Sequence, residues 1–309
     1  MSRSLFVVLM SFLLIGPSHA LLPPPALEQP VVRACACPDE FVLEPGRDAL
    51  LVLPDDRICG GFTLRGGRNI RVVGGHVRLD DPGRSRTIEL RGQTGTVFLE
   101  GLFVDVDRHP ADGIAIFRAP QAHLVVQNAR LENMSGEPDG LHGDVIHAQG
   151  AIARLTVERL TGRTGYQGLF LPWRPNDNQG RGHGPRELVL TRVDLAYAAW
   201  FDPRDHVPPL LWLYSDLADG TSRRNEPRPT QLSEVYLSGG SVRGMLRPAT
   251  PTEGLAGVGA GGELRFAAWT RIEGEVTLGR PPGGPFVPAT AVGHGYRSPH
   301  DGLSCATLD

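Results

Sequence analysis

The chain has 309 residues, with 31 Arg, no Lys and 34 acidic residues, a net charge of −3 and a pI near 6.4, so it carries no general pull toward nucleic acid or an anionic membrane. Its 39 Gly and 27 Pro make up about a fifth of the residues, under the roughly 25–30% that marks low complexity. With 40% hydrophobic, 6% aromatic and 21% charged residues, the composition excludes a charged helical protein or a disordered acidic tail and suits a β-rich, turn-rich globular one.

Residues 1–20 read as an export signal. Arg3 is the basic start, Leu5 to Ile15 is apolar apart from Ser11, Gly16-Pro17 breaks the run, and Ser18-His19-Ala20 offers a cleavage site after Ala20. The run is too short to cross a bilayer of about 30 Å as a helix, and no later run approaches the length of a membrane span, so no membrane partner is expected after cleavage.

Residues 21–60 are expected to comprise a mobile Pro-rich leader, Leu21–Pro30, and an N-terminal cap. Export makes Cys35, Cys37, Cys59 and Cys305 read as two disulfides. Three connectivities are open. Cys35 and Cys37 are too close to pair comfortably with each other, Cys59 is the near partner, and Cys305 would tie the tail to the N-terminal region. No second ligand pair gives these cysteines zinc-like spacing.

From residue 61 onward, short apolar-alternating runs recur in threes. The first series is Phe62–Leu64, Ile88–Leu90, Ile114–Ile116, Ile146–Ala148, Leu169–Leu171 and Leu211–Leu213. The second is Ile70–Val73, Val97–Leu99, Leu124–Val126, Leu155–Val157, Leu188–Leu190 and Val235–Leu237. A weaker third series runs Val77–Leu79, Leu102–Val104, Ala129–Leu131, Val193–Leu195 and Ser241-Val242. First strands starting at 62, 88, 114 and 146, with Gly, Asn, Asp or Pro between runs, predict stacked coils of parallel strands about 4.8 Å apart. Helical periodicity is absent from 60 to 245.

These triplets resemble the right-handed parallel β-helix superfamily, the pectate-lyase-like fold of exported polysaccharide lyases, hydrolases and epimerases, over about residues 50–280. The resemblance implies a single-stranded all-β solenoid over 61–280. A strand pair around Glu263–Thr270 and Ile272–Leu278 would finish the stack, and the 281–309 tail would pack along its side.

Alignment of the first strands gives one outward column, Glu89, Ala115, His147, Phe170 and Trp212, and a second, Arg91, Phe117, Gln149, Pro172 and Tyr214, with Asp112, Asp144 and Gln167 beside them. Glu89 and Arg91 read as a solvated face. The stretch Asp139–Gln149 is the densest in titratable groups, and its His142-Gly143-Asp144-Val145-Ile146-His147 resembles a His-x-Asp-x-Ile-polar segment of many exported β-helix proteins. Insertions at Tyr166–Pro185 and Asp202–Pro209 would bring Trp173, Arg174, Asp177, His183 and His206 to its edge. Aromatic faces beside polar groups suit pyranose rings, so the expected partner is a polysaccharide.

The resemblance implies β-elimination or epimerisation on a uronic acid. His147 or His142 would act as base near neutral pH, and Tyr166 or water as acid. Arg163, Arg174, Gln149 or a calcium ion held by Asp112 and Asp144 would neutralise the carboxylate. Tyr166, Gln167, Phe170, Trp173, Trp212 and Tyr214 complete the expected binding surface. Without Lys, a Lys–Arg apparatus of the alginate-lyase kind is impossible. Two other readings stand beside this one: hydrolysis by Asp112 and Asp144 on adjacent coils, and a non-catalytic glycan-binding or envelope structural protein. Gly182-His183-Gly184 matches a polygalacturonase tripeptide, but that family's other elements are missing.

Overall fold

The computed structural model describes residues 21–81, 83–137, 140–173, 184–202, 208–213, 228–248 and 254–308. The expected export signal, Arg174, Asp177, His183, His206 and Tyr214 lie outside them. The described residues are all-β, with strands joined in one largely parallel sheet.

The pairing sorts the strands into three rows. In the first row, Glu40–Leu43, Phe62–Gly66 and Arg86–Arg91 lead into the starts of the long strands Asp112–Met134 and Asp144–Thr164, then to Gln167–Phe170, Leu211–Trp212 and Leu246–Arg247. The second row runs from Val31–Ala34 through Ala49–Val52, Ile70–Val73 and Thr96–Glu100 to the middles of the two long strands and beyond. The third begins at Ile58–Cys59 and His76–Arg78 and ends at Glu275–Leu278. The chain visits the rows in turn, so each inward position repeats once per coil. Phe62, Ile88, Ile114, Ile146, Leu169, Leu211 and Leu246 form one such buried column. Burying each such side chain stabilises the stack by about 1.5–3 kcal/mol.

From Ile70–Val73 onward, a left-handed residue turns the corner between the second and third rows. Gly74, Gly101, Asn128, Arg159, Arg192 and Glu234 occupy this position on successive coils, with φ from 48° to 72°. Gly and Asn adopt this conformation readily. On the later coils Arg and Glu take it instead, against the expectation of Gly, Asn, Asp or Pro corners.

Three other expectations change. Residues 31–60 contribute strands to all three rows, making them the first coils of the stack. Leu21–Pro30 is docked, with Leu22 N–H donating to Gln127 Oε1 at 2.8 Å and Glu28 N–H to Asp48 Oδ2 at 2.7 Å. Val235–Leu237 pairs with Val193–Leu195 in the third row, and Val242–Met245 is a short helix capped by Ser241. The second-row strand of that coil is the polar Thr230–Ser233 segment, whose weak apolar alternation hides it.

Antiparallel strands Leu255–Val258, Glu263–Phe266 and Glu275–Leu278 adjoin the last coil. The tail then returns along the stack. Val287 bonds to Thr161 and Arg130, Gly293 to Gly101, and Tyr296 and Ser298 to Glu100. Disulfides Cys35–Cys305 and Cys37–Cys59 fasten the tail and the first coils. Two disulfides fit an oxidising, extracellular or periplasmic environment. No helix among the described residues is long and apolar enough to cross a membrane.

Candidate functional site

The first row carries the expected outward column in the expected register. Glu89 pairs with Ala115, Ala115 with His147, His147 with Phe170, and Phe170 with Trp212. Phe117 and Gln149 are neighbours in the second column. The rings of His147 and Phe170 meet edge to face at 5.0 Å, as do those of Phe170 and Trp212 at 5.1 Å, and Phe117 lies 6.4 Å from His147.

At the start of this row, Asp112 and Asp144 converge on His147. His147 Nδ1 lies 3.1 Å from Asp112 Oδ2, within hydrogen-bond geometry, and 2.9 Å from Asp144 Oδ2. Asp112 Oδ1 accepts the backbone N–H of Asp144 at 3.0 Å. Gly143 allows the chain to enter here, because a Cβ would stand 1.9 Å from the Ser135 carbonyl oxygen. The side chains of Asp112 and Asp144 are 4% and 1% exposed, whereas His147 is 17% exposed. Only the histidine is presented to a ligand. Its Nε2 makes no hydrogen bond among the described residues.

Burial pushes the Asp144 carboxyl upward, reinforced by Asp112 and opposed by His147. For His147, burial works against the charged ring, but hydrogen bonds and charge from Asp112 and Asp144 outweigh it and raise the imidazole to about 10. Two carboxylates in a low-dielectric setting thus hold a proton on the ring. The ring is therefore mostly imidazolium at neutral pH, and the expected neutral-pH base becomes one that is freed on the alkaline side.

The burial of both carboxylates also removes the hydrolytic arrangement, since neither can flank a glycosidic bond from beneath His147. The donor atoms of Asp112, Asp144 and His147 lie within 4.8 Å of one another. A set of two carboxylates and an imidazole suits ions that accept nitrogen; calcium takes six to eight oxygens. These residues do not fit the expected calcium.

Other expected residues lie apart from this cluster. Arg163 belongs to the third row, where it bonds to Asp194 and the Gly162 carbonyl, and not to the first row that carries His147. His142 is exposed, its ring centred 5.0 Å from that of Tyr166 and tilted 33° to it; Tyr166 is buried at the corner against Gly136 and so is not the accessible acid expected. Gln167 is buried beside Asp144. Gln149 is exposed on the first row, and Trp173 is half-buried.

Arg86 is the residue that sequence reading missed. It pairs in register with Asp112, approaches it to 3.8 Å, and places its guanidinium 4.3 Å from the centre of Phe117. The signal was present, because 26 residues, the spacing of the first strands, separate it from Asp112. Arg91, expected on a solvated face, lies 5.4 Å from the Phe117 ring and pairs with Glu89, which is itself buried. Its guanidinium is held below the usual arginine range by burial first, then by Arg65, Arg86 and Arg118. A cationic patch therefore flanks the histidine.

Fold and site define a largely parallel all-β protein with a carboxylate-backed histidine on an aromatic, Arg-flanked face. No family model, curated protein or solved structure matches the chain.

Proposed function

We propose that the chain is an exported right-handed parallel β-helix protein that acts on an acidic, uronate-containing polysaccharide lying along its first row, by lyase- or epimerase-type proton abstraction. The observation that carries this reading is His147, whose Nδ1 is held by two buried carboxylates while its Nε2 is left for a substrate. Phe117, Phe170 and Trp212 supply faces for the C–H sides of sugar rings. Arg86 and Arg91 supply cations for a uronate carboxylate.

In this reading the uronate carboxylate is neutralised by Arg86 and Arg91, which stabilises charge developing after loss of the C5 proton. His147 Nε2 takes that proton, and Asp112 and Asp144 stabilise the resulting imidazolium. Elimination then breaks the C4–O4 bond as the C4–C5 double bond forms, and a solvent water gives O4 its proton. In the epimerase variant, the C5 carbanion instead takes a proton on its opposite face. Because His147 titrates near 10, activity rises with pH toward that value.

Purified protein is to be tested on pectate, alginate, hyaluronan and rhamnogalacturonan, reading ultraviolet absorbance of unsaturated products and deuterium uptake at C5 from heavy water. Activity that vanishes in His147→Ala, with the fold retained, supports the reading. Retained binding with neither product nor exchange would favour a second reading, non-catalytic glycan binding, which the cationic state of His147 at neutral pH also suits.

A further inference from the structure

The returning tail crosses the third row at two histidines that the glycan reading does not use. His76 begins the strand His76–Arg78 and stacks on Phe103 of the next coil, with ring centres 4.5 Å apart. His294 comes from the tail, and its Nε2 lies 3.3 Å from His76 Nδ1 with the rings nearly perpendicular. Backbone bonds fix the tail at this point, Gly293 N–H donating to the Gly101 carbonyl at 2.9 Å and Gly75 N–H to the Gly293 carbonyl at 3.3 Å.

A third contact sets the tautomer. His294 Nδ1 is 3.0 Å from the backbone carbonyl oxygen of Asp55. A carbonyl only accepts, so Nδ1 carries the hydrogen and the neutral ring leaves its Nε2 lone pair facing His76. Without an ion, His76 Nδ1–H donates to that lone pair; an ion at Nδ1 moves the ring hydrogen to His76 Nε2, which is buried with no hydrogen-bond partner among the described residues.

We propose that His76 Nδ1 and His294 Nε2 form a binding site for a divalent ion of the zinc, copper or nickel class. Two imidazole nitrogens about 2.0–2.1 Å from a tetrahedral ion stand about 3.3–3.4 Å apart, and the pair stands at 3.3 Å. The Asp55 carbonyl on the far nitrogen of His294 is the outer contact that orients metal-binding histidines. Imidazole selects these ions over calcium or magnesium. His294 is exposed, so water can complete the coordination. Without an ion, the same separation serves an N–H···N hydrogen bond. With one, a metal link joins the tail to the third row, in addition to the Cys35–Cys305 disulfide at the second row.

The test is calorimetric titration of the full chain with Zn2+ alone, paired with thermal unfolding. The expected result is saturable binding of one ion at this pair and a raised melting temperature, with Ca2+ and Mg2+ giving neither. His294→Ala removes an exposed ligand, and His76→Phe keeps the stack on Phe103 while removing the other; each is expected to weaken binding by about tenfold or more. Asp144→Asn is expected to leave this binding unchanged, which separates it from the Asp112–Asp144–His147 cluster. Both histidine variants are to melt close to wild type in ion-free buffer, so that loss of binding reports the site. Absence of saturable Zn2+ binding, or binding that survives both histidine substitutions made in the Asp144→Asn background, overturns the proposal.

Discussion

Asp112 and His147 belong to neighbouring coils yet share a 3.1 Å hydrogen bond, and the other oxygen of Asp112 accepts the backbone N–H of Asp144. One buried carboxylate thus joins the stacking of two coils to the protonation of the partly exposed histidine. The same contacts that set the proton affinity of the ring also support the fold, so both respond to pH.

The stability response has a definite sign. His147 titrates near 10 in the folded chain against an ordinary value of 6.5, so its contribution is complete below about 6.5 and is lost as pH rises through about 10. The buried Asp144 carboxyl, also raised, acts in the same direction from its ordinary 3.8 upward. The melting temperature is expected to fall between pH 6.5 and 10, and His147→Gln is expected to flatten that fall. Parallel melting curves for the two proteins across this window would contradict the assignment.

Gly101 is a seat for the tail. It has φ of 72°, and a Cβ there would stand 2.1 Å from Tyr296 Cδ1. Gly101→Ala therefore combines backbone strain with a clash against a packed ring, at an expected cost of roughly 1–3 kcal/mol. Denaturant unfolding measures the loss, and the same substitution in a Tyr296→Ala background is expected to cost less, by the part due to the clash. An equal cost in the two backgrounds would show that the ring is not the obstacle.

Arg71 links the second row to the tail through charge. It is 7% exposed and bonds both Glu100, which is fully buried, and Asp301 of the tail. Arg71→Met leaves the Glu100 carboxylate buried without its cation, at an expected cost of about 3–5 kcal/mol. Adding Glu100→Gln is expected to recover much of this, measured by a double-mutant cycle in denaturant. Additive effects would mean that the two side chains do not couple.

The rows were legible where apolar alternation was strong. Ile88, Ile114 and Ile146 lie two residues into their strands, at spacings of 26 and 32, and the side-chain period of two then aligns Ala115 with His147 and His147 with Phe170. The same alignment brought Asp112 and Asp144 together. It failed at Val235–Leu237, where a polar strand precedes a more apolar one, and at Arg163, where closeness in sequence does not measure distance around a coil. Arg86 was legible in principle, one coil before Asp112, but an arginine at a strand start carries no pattern of its own.

The sequence alone determined the all-β class, the register of the first row and the ability of Asp112, Asp144 and His147 to meet, because strand period and coil spacing are local, repeating properties. Only the tertiary structure decided which of the three is exposed, that both carboxylates lie beneath the histidine, and that Cys305 returns to Cys35. Burial and proton affinity depend on what distant segments place over and beside a group, and no spacing along the chain encodes that.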